Sequence, residues 1–376
     1  MNILILSWRD PKHPSAGGAE QVILEHAKGW KGAGNEVIWF SSRFPNSKEE
    51  EALEGIKIIR RGYQYLGVQI SAPFYYLRNK SNIDFVIDQF HGIPFFTPLY
   101  VQKPKLAILQ ELAREVWFLN ELPFPLNYLV GLVGYLFEPF IFLFYRKVPF
   151  MVGSVSAKKD LEKVGIPKRN ITVVSHGVLV PKINHKTQKE KINTITFLGA
   201  LTRDKGIEDA IYTFSILNKK GKFQFWIIGD GEEKYTQKLK KRAKELGLVK
   251  NIKFWGFVDE EKKFTLLSRS HILINPSVRE GWGLVNIEAN FVGVPVVAYK
   301  SAGLIDSVKN GESGLFCDKN SPESLANMVR ELLNSKKMYM HLNLGAKKWA
   351  NNFDWKRSQR KSLNLIISVF KNGKNR

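Results

Sequence analysis

The sequence is poor in cysteine and in acidic residues, and it lacks several motifs that would assign a function directly. Its 376 residues include one cysteine, Cys317, which excludes a disulfide-stapled scaffold and indicates a reducing compartment. No basic leader precedes the first apolar stretch, so no export signal is expected and the protein is predicted to be cytoplasmic. Zinc-ligand spacing, an RNA-recognition signature and basic runs interleaved with aromatic residues are missing, so no nucleic-acid partner is expected.

The shortage of acidic residues gives the chain a large positive charge. It has 57 Lys and Arg against 35 Asp and Glu, a net charge of +22. Residues 1–180 carry 21 basic and 16 acidic side chains, whereas residues 181–376 carry 36 and 19. Such a charge favours a polyanionic partner, for example a phosphate-bearing substrate or an anionic membrane surface. It could equally reflect solvated surface helices, because the lysines of residues 234–250 follow helical spacing.

Short apolar runs alternate with amphipathic helical segments in both halves of the chain. In the first half, a strand at residues 3–6 precedes a glycine-containing loop, a helix at about 19–30 and a strand at 36–40. The second half repeats this order, with helices separating the strands "TITFLGA", "FQFWIIG", "NIKFWGF", "HILINP" and "PVVAY". Strands alternating with helices at this spacing form parallel sheets with helices on both faces. The predicted fold class is therefore α/β with two Rossmann-like domains.

The domain boundary is predicted in a polar stretch without apolar periodicity, "PKINHKTQKEKIN". It divides the chain into an N-terminal Rossmann-like domain of residues 1–180, a linker of residues 181–193 and a C-terminal domain of residues 194–354. A last helix, within residues 355–376, could return to pack on the first domain.

Residues 126–144, "LNYLVGLVGYLFEPFIFLF", are long and apolar enough to suggest a membrane span. Glu138 and Pro139 argue against a span, because a charge inside a bilayer is costly and proline interrupts helical hydrogen bonding. We therefore expect a buried pair of helices broken at Pro139. The alternative is a partly exposed apolar surface that dips into a bilayer. The aromatic side chains of that surface would be Phe137, Phe140, Phe142 and Phe144.

Two glutamates flank a predicted helix start in "REGWGLVNIEANFVGVPVVA", residues 279–298. A helix is expected to begin near Gly283, so Glu280 lies just before its N-terminus. Free backbone N–H groups and the helix dipole make such an N-terminus a phosphate site. The amides concerned are those of Trp282, Gly283, Leu284 and Val285. Glu288 lies about 7 Å further along the axis at 1.5 Å per residue, which suits a ribose beside a diphosphate.

The spacing Glu280-x7-Glu288 within this stretch closely resembles the signature of family-4 glycosyltransferases, which are retaining enzymes of the GT-B fold. The resemblance covers nearly the whole chain. It includes "WRDPKHPSAGGAE", "VVSHGV", "GDGEE", "NPSVREGWGL", "AGLIDSV" and "NGESGLF". It implies two facing Rossmann-like domains, with the nucleotide sugar held mainly by the second and the acceptor by the first.

The resemblance also implies roles for individual residues. Glu280 would contact the hydroxyls of the donor sugar and Glu288 would bind the ribose, while the amides of residues 282–285 would hold sugar and diphosphate. Lys205, in "TRDKG", matches the lysine that neutralises the diphosphate leaving group, a task that needs no metal. The chain contains no Asp-x-Asp pair, and no metal or other cofactor is expected.

Two glycines of the first half complete the implied nucleotide-sugar site. Gly17 and Gly18 match the N-terminal glycine loop, which lets the backbone approach the phosphates closely. Taken alone, this pair is typical of an ordinary turn, and Lys205 is typical of a surface lysine. The interpretation depends on the ordered set of motifs.

Two positions depart from the family pattern. The arginine that usually follows the strand glycine is Ala200 here, and Arg203 could replace its charge. The acceptor-side histidine usually found near the end of an N-terminal strand is Gln110 here, which cannot act as a base. His91 is nearby in sequence, although a lone histidine beside a strand is more often structural. Retaining transfer in this family is attributed to front-face reaction without a protein nucleophile, so activity is still expected.

These observations predict a retaining, metal-independent, hexosyltransferase-like glycosyltransferase. It would move a sugar from a UDP-, GDP- or ADP-linked donor to a hydroxyl of a glycan or lipid-linked acceptor. That acceptor would be met in the cytoplasm or at the inner face of the cell membrane, where the protein could attach peripherally. Ala200 and Gln110 leave open a non-catalytic nucleotide-sugar-binding or membrane-associated partner protein. A nucleotide-sugar epimerase on a similar two-domain fold fits the motifs less well.

Overall fold

The computed structural model describes residues 1–64, 66–90, 92–120, 122–179 and 188–374. His91 and residues 181–187 of the predicted linker lie outside the described residues. The chain forms two compact units. Unit 1 comprises Met1–Trp117, Tyr128–Gly177 and Asp354–Arg376, and unit 2 comprises Phe118–Asn127 and Val178–Phe353.

Strands and helices alternate along most of the chain. The strands are β1 (Asn2–Leu6), β2 (Glu36–Arg43), β3 (Glu50–Leu53), β4 (Ile56–Tyr63), β5 (Phe85–Phe90), β6 (Lys105–Leu109), β7 (Phe150–Val152), β8 (Ile171–Val173), β9 (Asn193–Leu198), β10 (Phe223–Ile228), β11 (Ile252–Gly256), β12 (Ile272–Asn275), β13 (Val296–Ala298) and β14 (Gly314–Phe316). The helices are α1 (Gly18–Gly32), α2 (Leu66–Asn79), α3 (Leu126–Ile141), α4 (Val155–Lys163), α5 (Ile207–Asn218), α6 (Glu233–Glu245), α7 (Glu260–Arg269), α8 (Leu284–Phe291), α9 (Leu304–Ser307), α10 (Pro322–Asn334), α11 (Lys336–Ala350) and α12 (Trp355–Lys374).

Unit 1 is built on an eight-stranded sheet with the order β3-β4-β2-β1-β5-β6-β7-β8. Neighbouring strands are parallel, except that the edge strand β3 is antiparallel to β4. Strand β1 is buried on both faces: Ile3 and Ile5 lie in one hydrophobic cluster, and Leu4 and Leu6 lie in another. A strand that is buried on both faces needs apolar side chains at successive positions. The run "ILIL" meets this requirement in the middle of the sheet.

Unit 2 contains a six-stranded parallel sheet with the order β11-β10-β9-β12-β13-β14. Successive residues of β12 pack on opposite faces, Ile272 and Ile274 with the cluster of α5, α6 and α10, and Leu273 with α7 and α8. Helices therefore cover both faces of the sheet. The predicted α/β class, with two domains and parallel sheets, is confirmed.

The C-terminal helix α12 belongs to unit 1, where it packs on α1. Trp30 Nε1 donates to Ser362 Oγ over 2.9 Å, and Gln359 Nε2 donates to the carbonyl oxygen of Glu25 over 2.8 Å. Ile366 is buried among the apolar residues of β1 and α1. The last segment of the chain thus completes the core of the first Rossmann-like unit.

The apolar segment of residues 126–144 forms an exposed helix, so the expectation of a buried helix pair was wrong. Helix α3 runs through Pro139, and a 3₁₀ turn follows at Phe142–Tyr145. By length and composition alone, this helix and turn are sufficient to cross a membrane. Of the four aromatic side chains predicted for a bilayer surface, Phe142 is buried in the core, and the other three are exposed. The expectation was wrong because hydropathy measures how apolar a helix is and not what covers it.

Two buried histidines lie side by side in unit 1. The ring centroids of His26 and His176 are 6.2 Å apart, and both rings contact the ring of Trp355. Burial lowers the pKa of His26 to about 3 and the pKa of His176 to about 4. Both rings are therefore neutral in the folded protein at neutral pH.

Acidification is expected to destabilise the protein through this histidine pair. Below a pKa of about 6.5 the unfolded chain takes up two protons that the folded protein excludes, so stability is lost as the pH falls from there to about 4. At pH 5 each histidine lowers the free energy of unfolding by about 2 kcal/mol relative to pH 7. Denaturant unfolding across this range measures the effect. His26→Phe should flatten the pH dependence, and the exposed control His341→Phe should not; equal slopes in both variants would contradict the assignment.

Candidate active site

Three loops of unit 2 meet at the carboxyl edge of its sheet, following β9, β12 and β13. Val278 N donates to the carbonyl oxygen of Asp204 over 2.8 Å, and Glu280 N donates to that of Ala302 over 3.0 Å. Glycines make this close approach possible. A Cβ on Gly206 would lie 2.2 Å from the carbonyl oxygen of Pro276, and one on Gly303 would lie 2.0 Å from that of Glu280. The loops are therefore fixed against each other at the edge where ligands bind in open α/β sheets.

An ion pair joins two of the predicted site residues. Lys205 Nζ lies 3.0 Å from Glu280 Oε2 and 3.3 Å from Asp204 Oδ2. The second carboxylate oxygen of Glu280, Oε1, accepts a hydrogen bond from Ser277 Oγ over 3.0 Å. The side chains of Lys205 and Glu280 are 21% and 17% exposed, so a ligand can reach this pair.

Helix α8 begins directly after these residues. Its first residue is Leu284, one position beyond the predicted start, and its N-cap is Gly283 in the left-handed conformation. Asn286 N donates to the carbonyl oxygen of Gly283 over 3.0 Å, so the N–H groups that face an anion would be those before it, at the end of the helix where the dipole is positive. The side chain of Trp282 is buried and packs against Phe353, with 5.0 Å between ring centroids. The arrangement can bind an anion.

A buried polar chain ties the loop that carries Glu280 to α8. Asn275 Nδ2 donates to Asn286 Oδ1 over 2.9 Å, and Asn286 Nδ2 donates to Ser307 Oγ over 2.9 Å. Asn275 Oδ1 in turn accepts from Ser277 N over 3.1 Å. Because these groups are buried and paired, they fix the end of β12 relative to the start of α8.

Glu288, the second predicted glutamate, is paired with a lysine that the sequence did not indicate. Lys263 Nζ, on α7, lies 2.8 Å from Glu288 Oε1 and 2.7 Å from Glu260 Oε1. Burial raises the pKa of Glu288, and the charge of Lys263 opposes that rise. Burial also acts to lower the pKa of Lys263, but the two glutamates outweigh it and the pKa is raised. Lys263 therefore favours the ionised carboxylate in a partly buried position.

The cation proposed to replace the family arginine is not joined to this group. Arg203 lies on the same 3₁₀ turn as Lys205, Arg203–Lys205, but its side chain is exposed. Within the described part of the chain it forms no ion pair with Glu280 or Asp204. Ala200 is also exposed.

The glycine loop of unit 1 is held by buried charges. Gly17 is the N-cap of α1, and its N–H donates to Glu20 Oε2 over 2.8 Å, while Glu20 Oε1 accepts from Arg9 Nε over 3.1 Å. Within the same loop, Asp10 receives a bidentate pair from Arg60 at 2.7 and 2.8 Å, and both side chains are fully buried. Gly17 and Gly18 themselves are exposed at the carboxyl end of β1. Their contact with a phosphate stays a prediction.

The acceptor-side candidate Gln110 follows β6 directly. Its Oε1 lies 3.2 Å from His176 Nε2, and its Nε2 has no hydrogen-bond partner among the described residues. His176 occupies the "VVSHGV" position at which the resembling family usually has asparagine. His91, the other acceptor-side candidate, falls on a residue that the structure does not describe. Over the described ranges no cluster of three or more potential metal-ligating side chains is found.

Comparison with known proteins gives a family match for unit 2. Residues 180–349 match the family model "Glycosyl transferases group 1". The three charged candidates Lys205, Glu280 and Glu288 all fall within the matched residues.

Curated relatives are similar to this chain over different shares of its length. An uncharacterized 41.2 kDa protein in the cps region of Klebsiella pneumoniae is 30% identical over 181 residues, 46% of this chain and 47% of that protein. An uncharacterized glycosyltransferase of Methanocaldococcus jannaschii is 27% identical over 92% of this chain and 93% of its own length. The chain spans about half the length of most of the curated relatives it matches.

Solved structures resemble the whole chain. Sucrose-phosphate synthase from Thermosynechococcus elongatus has a TM-score of 0.80 at 18% identity, covering 99% of both chains. Anabaena Alr3699/HepE in complex with UDP and glucose has a TM-score of 0.74 at 16% identity, covering 98% of this chain and 100% of its own. WaaG, a glycosyltransferase involved in lipopolysaccharide biosynthesis, has a TM-score of 0.72 at 16% identity, covering 97% and 99%. These likenesses confirm the predicted fold, and with the family match they support a GT-B glycosyltransferase.

Proposed function

We propose that this protein is a retaining glycosyltransferase that moves a sugar from a nucleotide-sugar donor to a hydroxyl of a glycan or lipid-linked acceptor in polysaccharide biosynthesis. The observation that carries the proposal is the Lys205–Glu280 pair, 3.0 Å apart, placed immediately before the N-terminus of α8. A cation and a helix N-terminus can bind a diphosphate, and a carboxylate can accept hydrogen bonds from sugar hydroxyls. They also lie within the residues that match the glycosyltransferase family.

Each group has a distinct task in the proposed reaction. The N–H groups at the start of α8 bind the diphosphate, and Lys205 neutralises the charge that develops on it as the glycosidic bond breaks. Glu280 accepts hydrogen bonds from the donor sugar, and Glu288 accepts hydrogen bonds from the ribose. A lysine and helix amides can supply this stabilisation without a metal ion. In front-face transfer the acceptor oxygen approaches the side from which the diphosphate leaves, so the configuration is retained.

UDP-linked sugars are the first donors to test. Anabaena Alr3699/HepE, which shares the fold, has been solved with UDP and glucose, whereas GDP- and ADP-linked donors are compatible with the same diphosphate contacts. A thermal-shift screen over the three nucleotide classes should identify the donor, and nucleotide release with the best binder should then follow turnover. Turnover supports the proposal. If the nucleotide sugars that bind are not turned over, the result would instead support a non-catalytic nucleotide-sugar-binding protein, the alternative suggested by Ala200 and Gln110.

Replacing Lys263 by methionine is expected to weaken nucleotide binding in a pH-dependent way. Glu288 would stay partly buried without its cation, so its pKa would rise further and its carboxyl would take up a proton more readily. Isothermal titration calorimetry should show an affinity about tenfold lower at pH 6 that recovers toward the wild-type value at pH 9. The matched control is Lys262→Met, which removes the same charge from an exposed neighbour. A loss independent of pH would contradict the proposed role of Lys263.

A further inference from the structure

Helix α3 has an amphipathic pattern that is inverted relative to an ordinary surface helix. Its exposed side chains are large and apolar, and the following five are between 48% and 63% exposed: Leu129, Val133, Leu136, Phe137 and Phe140. Phe144, in the 3₁₀ turn that follows, is 51% exposed. Viewed down the helix axis, with 100° between successive residues, the exposed apolar side chains lie within one arc of about 200°. Tyr128 and Val130 mark the two edges of this arc. Surface helices normally direct their apolar side chains toward the core, so this face requires a partner.

The one charged residue of this segment is turned toward the protein. Glu138 is the single ionisable carboxyl or amine within Leu126–Tyr145. Its carboxylate accepts hydrogen bonds from Ala113 N at 2.7 Å, Arg114 N at 3.0 Å and Trp117 Nε1 at 3.3 Å. The charge that argues against a membrane span is therefore satisfied on the inner side of α3. The outer arc is left without charge.

The inner side also holds α3 on unit 1. A Cβ on Gly134 would lie 2.3 Å from the ring of Trp117, so helix and indole are in direct contact. In the 3₁₀ turn that follows α3, Phe142 is buried in the core, and Tyr145 Oη donates to the buried Asp88 over 2.6 Å. A helix fixed in this way can lie in a bilayer surface, but it cannot cross the bilayer without leaving the core.

A second apolar stripe continues this surface. On α2, the side chains of Leu66, Ile70 and Phe74 are between 60% and 66% exposed at helical spacing. Gln69 Nε2 of α2 donates to the carbonyl oxygen of Ile93 over 3.4 Å, in the loop after β5. Within the same loop, Phe96 contacts Phe144, with 5.9 Å between ring centroids. The two stripes thus meet through the loops at the carboxyl edge of the unit 1 sheet.

Two exposed basic residues follow the apolar face. No lysine or arginine occurs between Arg114 and Arg146, and Arg146 and Lys147 are both exposed directly after the 3₁₀ turn. We propose that the outer face of α3, continued by α2, is a docking surface that inserts into the interface of an anionic lipid membrane. A convex apolar arc of about 200° suits acyl chains, which can surround it, and the flanking cations suit anionic headgroups.

This contact would place the carboxyl edge of unit 1 at the membrane surface. Ligands bind at that edge in open α/β sheets, so an acceptor presented there would be carried on a lipid. That consequence rests on the proposed function, whereas the membrane contact itself does not. It gives the protein a peripheral location at a membrane surface.

Vesicle flotation without sugar donor tests the contact. The full-length protein should float with vesicles in which one third of the lipid is phosphatidylglycerol, float less with phosphatidylcholine alone, and dissociate as salt is added. Phe137→Ser/Phe140→Ser should lower the partition coefficient at least about tenfold. The matched control Met340→Ser/Leu344→Ser removes two exposed apolar side chains from α11 and should bind like the wild type. Arg146→Gln/Lys147→Gln should reduce the preference for anionic vesicles.

Several results would overturn the contact. The wild type could stay unbound with anionic vesicles at low salt. Bound protein could resist alkaline carbonate extraction, as a spanning helix does. The protein could also dimerise through Phe137 and Phe140 without binding lipid, which would make the face an interface between copies. Nucleotide affinity in both serine variants reports on folding, and donor turnover is measured without vesicles, so failure of the membrane contact and failure of the proposed function are separable.

Discussion

Replacing Glu280 by glutamine is expected to reduce sugar transfer at least about a hundredfold while leaving nucleotide affinity nearly unchanged. The glutamine has the shape of the glutamate, and its amide oxygen can still accept from Ser277 Oγ, which lies 3.0 Å from Glu280 Oε1 in the wild type. It lacks the negative charge that strengthens hydrogen bonds to the sugar as positive charge develops at the reacting carbon. Nucleotide release measures the rate, and isothermal titration calorimetry measures the affinity.

Substitution of the second glutamate should affect nucleotide affinity, which substitution of Glu280 should leave nearly unchanged. Glu288→Ala is expected to weaken nucleotide binding by about 1–3 kcal/mol, because it removes charge-assisted hydrogen bonds to the ribose. Glu323→Gln, an exposed position on α10, is the matched control for the loss of one acidic charge. Equal loss of nucleotide affinity in Glu280→Gln and Glu288→Ala would show that the proposed division of roles is wrong.

Replacing Lys205 by alanine is expected to lower kcat by more than about tenfold, since one charge on the leaving diphosphate contributes several kcal/mol to transition-state stabilisation. The ammonium of Lys205 already lies 3.0 Å from Glu280, so the two groups act at one place. The double variant with Glu280→Gln should therefore lose less than the sum of the two single effects in free energy. Steady-state and single-turnover kinetics measure these differences.

Arg203→Ala should lower kcat less than Lys205→Ala, because its exposed side chain is not joined to the pair. Lys220→Ala, an exposed lysine beyond the end of α5, is the control for net charge and should behave like the wild type. If Arg203→Ala has no effect, Arg203 does not replace the family arginine, and Ala200 marks a weaker diphosphate site.

Local sequence signals predicted the elements that carry the candidate site. Glycine and proline bracket the segment that forms α8, and its apolar spacing is helical, so its start near Gly283 could be expected within one residue of the observed Leu284. Some buried strands, such as β1, β7 and β13, contain continuous apolar runs, and such runs between helical segments favour parallel sheets without any long-range information. The roles of all the candidate site residues stay predictions.

Contacts between distant residues could not be predicted in this way. Lys263 and Glu288 are 25 residues apart in sequence, and Asp10 and Arg60 are 50 apart, so nothing in either local pattern pairs them. The exposure of α3 was missed for a related reason. Its apolar composition is the same whether protein or lipid covers it, and the inward position of Glu138 depends on hydrogen bonds to residues 113–117.

Real-time proton NMR of donor turnover tests the proposed retaining transfer most directly. The wild type and Glu280→Gln are incubated with the α-linked nucleotide sugar that binds best, and the anomeric proton of the first free sugar is recorded before it equilibrates. We predict that the wild type releases the nucleotide together with the α-anomer, and that Glu280→Gln releases neither at a comparable rate. Free sugar forms here because water takes the place of the acceptor, and release of the β-anomer first would contradict retention.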